Sequence, residues 1–187
     1  MIILTGFGPY DKYEENISGK IVNGLKESAF GMKLMKAVLP VSWKFCIESY
    51  KQLLNKASNP KLAMLLGIHN SKSYNLETYS WNIAFGKDIR HRFRLGPIRL
   101  FSKLNYKTTL NLEKLFKSLY PRLKIRISYF AGYYLCNFIY YWALLLSENK
   151  YPVVFIHIPY NAEQEEGLKI IEEIISSILS TDPNMRY

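Results

Sequence analysis

Cysteine is scarce in this chain of 187 residues, which has only Cys46 and Cys136. Two distant cysteines provide no disulfide framework, and no cysteine or histidine has the spacing of a zinc site. Glycine and proline are not enriched, which argues against a fibrous or disordered chain. The sequence therefore predicts a reduced intracellular protein with no zinc site, and we expect residues 1–187 to form one domain.

Long hydrophobic runs are also few. The first residues lack the basic lead and apolar core of a secretory signal, so we expect a cytoplasmic location. Residues 129–146 are free of charge for 18 residues, which is the length of a membrane-spanning helix. They include Gly132, Asn137 and five tyrosines, which favours a strand end, a turn and a buried helix. We therefore predict no membrane span.

Charge is present but unevenly placed. The formal charge is +10, and residues 87–126 hold twelve Lys or Arg against two acidic residues, so the rest of the chain is neutral on balance. Phe93, Phe101 and Tyr106 are interleaved with these cations, a pattern that could bind nucleic acid through phosphate contacts and base stacking. We favour a solvated basic face, because no nucleic-acid-binding module is recognisable.

Short apolar strands alternate with helices along the chain. Strands are predicted at 1–5, 34–41, 61–67, 74–84, 125–130 and 152–157, and helices at 18–27, 44–56, 112–119, 134–146 and 163–179, with a loop at 6–16. This order predicts an α/β fold, a three-layer α/β/α sandwich around a mostly parallel, open twisted sheet. Sites in such sheets lie at the carboxyl ends of strands, here the loop after Thr5, the turn before Cys136, and His157.

Cys136 falls just inside the predicted helix 134–146. Unpaired helix N–H groups stabilise a thiolate there and can bind an oxyanion, although a small buried core residue is an equally good interpretation from position alone. Cys46 lies within an ordinary amphipathic helix and is predicted to be inert.

Two further side chains could work with that thiol. His157 ends a predicted apolar strand before a proline turn. This position suits a general base, and it equally suits a structural histidine. Glu77 stands among apolar neighbours and needs a partner, which an imidazole would provide. His69 and His91 are predicted to lie in loops and are left out of the catalytic set.

Four motifs occur in a familiar order. They are Thr-Gly-Phe-Gly-Pro-Tyr at 5–10, Leu-Glu-Thr at 76–78, Ser-Tyr-Phe-Ala-Gly-Tyr-Tyr-Leu-Cys-Asn at 128–137 and Phe-Ile-His-Ile-Pro-Tyr at 155–160. Together they resemble the pyroglutamyl peptidase I (pyrrolidone carboxyl peptidase) family. The resemblance implies a cysteine exopeptidase that removes N-terminal pyroglutamyl residues from peptides through a thioester. It makes Cys136 the nucleophile, His157 the base and Glu77 the residue that orients the base.

The same resemblance implies binding residues. Phe7 and Tyr10 match two aromatic positions that hold the lactam ring, and Asn16 lies in a second matching motif. Lys87 stands where the family has an arginine that is thought to help the oxyanion. The family needs no cofactor, and a homo-oligomer is compatible with the resemblance.

The sequence departs from the family around the pocket. The loop 67–72 is altered, the arginine segment reads differently at 85–90, and a loop of roughly 15–20 residues is missing after Gln164. Two other functions therefore stay open. One is a cysteine hydrolase of the same fold that acts on another small amide or has little activity, and the other is a basic nucleic-acid-binding module.

Overall fold

Strands and helices alternate in the computed structural model, which describes residues 1–10, 15–29 and 31–181. The strands are β1 (Ile2–Phe7), β2 (Ser28–Ala29), β3 (Met32–Leu39), β4 (Leu62–His69), β5 (Tyr74–Glu77), β6 (Tyr79–Trp81), β7 (Ala84–Lys87), β8 (Phe93–Gly96), β9 (Asn105–Lys107), β10 (Ile125–Ser128) and β11 (Val153–Pro159). The helices are α1 (Ile17–Gly24), α2 (Trp43–Lys56), α3 (Leu112–Leu119), α4 (Leu135–Ser147) and α5 (Gln164–Thr181).

Within the described residues, seven strands form the central sheet, in the order β10-β5-β11-β4-β1-β3-β2. Strand β1 is parallel to β3 and β4, β11 is parallel to β4, and β10 is parallel to β5. The antiparallel pairs are β5 with β11 and β2 with β3. Strands β1 and β11 are buried on both faces, as expected for near-continuous apolar strands inside a parallel sheet. The predicted mostly parallel sheet is confirmed.

Two apolar cores lie on the two faces of this sheet. Successive side chains of a strand point to opposite faces, so Ile2 and Leu4 pack on the side of α1, α3 and α5. Ile3 and Phe7 pack on the other side, with α2 and α4. The predicted three-layer α/β/α sandwich is therefore confirmed.

Helix α4 accounts for the long uncharged run of the sequence. It is buried on most sides because it packs against β11 of the central sheet and also against α2, β6 and β9. No helix within the described part of the chain is long and apolar enough to cross a membrane.

The predicted strand 74–84 is wrong as a single element. It divides into β5 in the central sheet, β6 paired with β9, and β7 paired with β8. The apolar alternation changes phase at Thr78, and the chain changes its pairing partner there: the Thr78 N–H still donates to the Ser128 carbonyl at the end of β10, whereas the Thr78 carbonyl accepts from the Thr108 N–H just after β9. The predicted loop 6–16 is also partly wrong, because β1 extends to Phe7. Residues 11–14 of the predicted loop lie outside the described residues.

The basic segment 87–126 is not a single solvated face. Several of its cations contact the protein's own groups. The Arg90 guanidinium lies 4.4 Å from the ring centroid of Phe45, and the Arg94 guanidinium lies 5.0 Å from that of Phe138. Arg122 forms an ion pair with a helix α5 carboxylate at 2.9 Å. This distribution does not favour the nucleic-acid alternative.

Candidate active site

One row of residues runs across four strands of the sheet. Arg126 of β10 pairs with Asn75 of β5, Asn75 with His157 of β11, and His157 with Gly67 of β4. Glu77 lies two residues beyond Asn75 and therefore shares its face, since strand side chains alternate. That face is the one covered by α4. The register thus directs an imidazole and a carboxylate from separate strands toward the start of α4.

Glu77 and His157 form a short buried pair. The Glu77 Oε1 lies 2.7 Å from the His157 Nδ1, and both side chains are almost fully buried. Among the described residues no partner bonds the other oxygen, Oε2. A buried carboxylate is costly without a hydrogen-bonding partner, so this contact satisfies Glu77 and fixes the ring at the same time. It occupies Nδ1 and leaves Nε2 for the sulfur of Cys136.

The sulfur of Cys136 fits into a space left by a glycine. Cys136 is the second residue of α4. A Cβ atom on Gly67 would lie 2.7 Å from the Cys136 Sγ and 2.7 Å from the Phe155 Cζ. Because Gly67 is the direct cross-strand neighbour of His157, the sulfur lies over the sheet beside the imidazole. A side chain at position 67 would separate the two groups.

The charge state of His157 follows from its surroundings. Burial lowers its pKa, but contact with Cys136 and the hydrogen bond to Glu77 outweigh burial and raise the pKa to about 9. Both contacts therefore favour the protonated form of the imidazole. An imidazolium beside a sulfur favours its thiolate form, which is the nucleophilic one.

Asn137 fixes the start of α4 in place. Its Oδ1 accepts from the Trp81 N–H at 2.8 Å, and its Nδ2 donates to the Trp81 and Ile83 carbonyls at 2.8 Å each. The N-cap residue of α4, Tyr134, makes no side-chain cap bond. The Tyr134 side chain therefore does not cap the N–H groups in the first turn of α4, and such groups at a helix start can stabilise an oxyanion.

A small pocket of about 110 Å³ opens at Cys136. Apart from the Cys136 sulfur, the described residues that line it carry no ionisable acid or base of the Asp, Glu, Lys, Arg or His type; the lining residues are Phe7, Tyr10, Asn16, Val41, Ile68, Tyr134, Leu135 and Cys136. Asn16 also caps α1, since its Oδ1 accepts from the Ser18 N–H at 3.1 Å and the Ser18 hydroxyl at 2.7 Å. The structure thus brings three of the four binding residues predicted from the sequence to the nucleophile.

Lys87 is the fourth, and it is not among the described lining residues. Its side chain is exposed on the outer face of the β7–β8 hairpin, across from Phe93. Only its backbone approaches the site, because its carbonyl accepts from the Tyr134 hydroxyl at 2.7 Å. The position matches by counting along the sequence, but the hairpin turns the ammonium group outward. The structure therefore does not bring the Lys87 side chain to the pocket with the other three residues, and its binding role stays a prediction.

Three residues of the site were missed by sequence reasoning. Asn137 carried a signal, since an amide inside an apolar helix must find partners. Gly67 carried a weaker one, as a glycine within a strand often marks a close approach. The sequence predicts a loop at His69, but the residue ends β4, and its ring centroid is 5.2 Å from that of His157.

The two cysteines are expected to differ sharply in reactivity. Burial raises the pKa of the Cys46 thiol, which is fully enclosed in the core, whereas Cys136 is half-buried beside an imidazolium. Brief iodoacetamide treatment of the folded protein should therefore alkylate Cys136 at least about 100-fold faster than Cys46. Mass spectrometry of the digested protein reports both sites. Equal labelling of the folded protein would contradict an activated Cys136, and labelling in denaturant provides the control.

Comparison with known proteins gives consistent matches. The family model described as Pyroglutamyl peptidase matches residues 1–178. The pyrrolidone-carboxylate peptidase of Coprothermobacter proteolyticus is 30% identical over 180 residues, which cover 90% of this chain and 85% of that protein. The pyroglutamyl-peptidase 1 of Homo sapiens is 27% identical, and the alignment covers 100% of this chain and 95% of that protein. The crystal structure of pyrrolidone carboxyl peptidase from Thermus thermophilus superposes with a TM-score of 0.84 at 26% identity, covering 96% of this chain and 98% of that one.

Proposed function

The chain belongs to the pyroglutamyl peptidase family, and from this premise we propose that Cys136, His157 and Glu77 are its catalytic residues. The protein is a cysteine-type peptidase that removes N-terminal pyroglutamyl residues from peptides. The observation that carries the residue assignment is the convergence of the buried Glu77–His157 pair on the Cys136 sulfur at the start of α4. We also propose, from the sequence alone, a single domain over residues 1–187, a cytoplasmic location and a homo-oligomer.

The reaction begins with the ion pair of Cys136 and His157. The thiolate Sγ attacks the carbonyl carbon of the pyroglutamyl residue, and the negative charge that develops on the oxygen is stabilised by first-turn N–H groups of α4. As the C–N bond breaks, the His157 Nε2 gives its proton to the departing amine, which leaves a thioester on Cys136. His157 then takes a proton from water, and the resulting hydroxide attacks the thioester. Pyroglutamate leaves, and the ion pair is restored.

The pocket is suited to a small uncharged lactam. Aromatic and aliphatic side chains form most of its lining, and the ring of Tyr10 lies 5.7 Å from that of Tyr134. A slot of this kind binds a flat apolar ring and uses few polar groups for orientation. Free glutamate would bring charges into it, and proline lacks the lactam carbonyl, so a polar partner would be left unpaired. We propose that Phe7 and Tyr10 hold the ring and that Asn16 contributes polar contact.

A substrate panel tests this function. We expect the protein to hydrolyse pyroglutamyl amides but not glutamyl or prolyl amides. Phe7→Ala should lower kcat/KM by about 10- to 100-fold, because it removes one apolar wall of the slot. The matched control is Phe85→Ala, which removes an exposed aromatic ring outside the pocket and should leave kcat/KM unchanged.

Two outcomes would contradict the proposal. A folded protein with intact Cys136 and no pyroglutamyl hydrolysis between pH 5 and 9 would favour a hydrolase of another small amide. Equal losses for Phe7→Ala and Phe85→Ala would remove Phe7 from the binding site. Circular dichroism confirms the fold of each variant, which is needed because Phe7 also packs in the core beside α2 and α4.

A further inference from the structure

His69 lies beside the catalytic histidine, and the mechanism above does not use it. It ends β4, two residues after Gly67, and therefore points to the same face of the sheet as His157. The two ring centroids are 5.2 Å apart and the ring planes are inclined by 30°. His69 thus packs against the His157 ring. Phe155 also packs against it, with its ring centroid 4.9 Å from that of His157.

The first hydrogen bond of His69 identifies the nitrogen that carries its proton. The Nε2 lies 3.0 Å from the Ser73 carbonyl oxygen. A carbonyl oxygen only accepts hydrogen bonds, so Nε2 must be the donor and must hold a hydrogen. A neutral imidazole with hydrogen on Nε2 has a bare lone pair on Nδ1.

The second hydrogen bond confirms this tautomer independently. Nε of Arg126 lies 2.7 Å from Oδ1 of Asn75, and a guanidinium nitrogen can only donate. Arg126 therefore fixes the orientation of the Asn75 amide, an assignment that side-chain amides otherwise leave ambiguous. The amide nitrogen Nδ2 of Asn75 then faces the His69 Nδ1 at 3.3 Å. Because an amide nitrogen donates, Nδ1 must accept and cannot carry a proton.

This arrangement opposes a positive charge on His69. The pKa of His69 is lowered, chiefly by burial, although the hydrogen bond to the Ser73 carbonyl raises it; the charged groups that act on the ring are His157, Glu77 and Arg126. Of these only Glu77 favours protonation, and its Oε1 is already bound to His157. A proton on Nδ1 would also break the bond with Asn75 and place a second cation against the imidazolium of His157. A neutral His69 is compatible with that imidazolium, and a charged one is not.

We propose that His69 is a positioning residue of the reaction. It is a neutral imidazole, fixed by Arg126 and Asn75 with its hydrogen on Nε2, and it holds the His157 ring in the plane that serves both Glu77 and Cys136. This inference rests on the proposed function and adds a residue to its site. The ring of His69 contacts no substrate atom in this role, since it acts only through His157.

The tautomer is tested without an activity measurement. In protein with ¹⁵N-labelled histidine, His69 should show the neutral pattern with hydrogen on Nε2 from pH 8 down to about pH 5.5, where a free histidine is largely charged. His69→Phe identifies its signals by their loss. Hydrogen on Nδ1, or titration of His69 at the ordinary pKa of histidine, would overturn the inference. Failure of the peptidase assay does not affect this measurement, so the two proposals can fail separately.

The positioning role is tested by a pair of variants. His69→Ala removes the ring that packs against His157 and should lower kcat by about 10-fold while KM changes by less than about 2-fold. A small misorientation of the His157 ring is costly for the rate. His69→Phe keeps a ring against His157 and should restore at least half of the wild-type kcat. His91→Asn is the control, since His91 lies outside the site in a left-handed backbone conformation that asparagine tolerates. Wild-type kcat in His69→Ala, or no recovery in His69→Phe, would overturn the proposal.

Discussion

Replacement of Cys136 by alanine is expected to abolish pyroglutamyl amide hydrolysis, with a loss in kcat of about 10⁵-fold or more. No other sulfur can replace it, since Cys46 is enclosed in the core among α2 side chains. The substitution also removes the partner that raises the pKa of His157, so this pKa should fall below about 9 in the variant. Stopped assays with a fluorogenic pyroglutamyl amide measure the activity, and histidine NMR measures the pKa.

Cys46→Ala is the matched control for this experiment. It removes the same atom from the other cysteine and leaves the Glu77–His157 pair in place. We expect lower thermal stability, because a buried sulfur is lost from the core, and nearly unchanged kcat. Residual activity in Cys136→Ala within about 10-fold of wild type would show that the nucleophile lies elsewhere. Loss of activity in a folded Cys46→Ala protein would show that the effect is not specific to position 136.

The elements of this fold were predictable where their signal is local. The stripe of isoleucines in 163–179 predicted α5, and the apolar runs at 1–5 and 61–67 predicted β1 and β4 to within a few residues. These patterns depend on the period of one helix or strand. The segment 74–84 also alternates, with one change of phase at Thr78, but forms three strands in three sheets. Alternation predicts an extended chain, and the partner of each piece depends on residues far along the sequence.

The site was predictable to a similar extent. A thiol at a helix start and a histidine near a strand end could be identified from position, although β11 continues past His157 to Pro159. The family resemblance supplied Glu77. The contact between the sulfur and Gly67 depends on the register of β4 against β11, which no local pattern encodes. The same register places His69 next to His157. Lys87 shows the converse, because counting along the sequence matches it to the family's arginine, whereas the β7–β8 hairpin leaves its side chain exposed.

Glu77→Gln is expected to lower kcat by about 10³- to 10⁴-fold, although the substitution changes only one atom. A glutamine amide accepts through its oxygen or donates through its nitrogen, and it no longer carries the charge that stabilises an imidazolium. An amide nitrogen that donates to Nδ1 would hold His157 in the neutral tautomer with its hydrogen on Nε2. That tautomer cannot accept a proton at Nε2, the nitrogen that faces Cys136. The exposed Glu48 of α2 provides the control, because Glu48→Gln changes the net charge equally and should leave kcat unchanged.

The pH profile separates this electrostatic role of Glu77 from a merely structural one. Glu77 raises the pKa of His157, which is about 9 in the intact site, so activity in the wild type should fall as pH rises through about 9 and the imidazolium is lost. Removal of the carboxylate charge lowers that pKa. The alkaline limb of kcat/KM should therefore move to lower pH in Glu77→Gln and stay in place in Glu48→Gln. An alkaline limb at the wild-type position in a folded Glu77→Gln protein would show that Glu77 does not stabilise the imidazolium, whatever the loss in kcat.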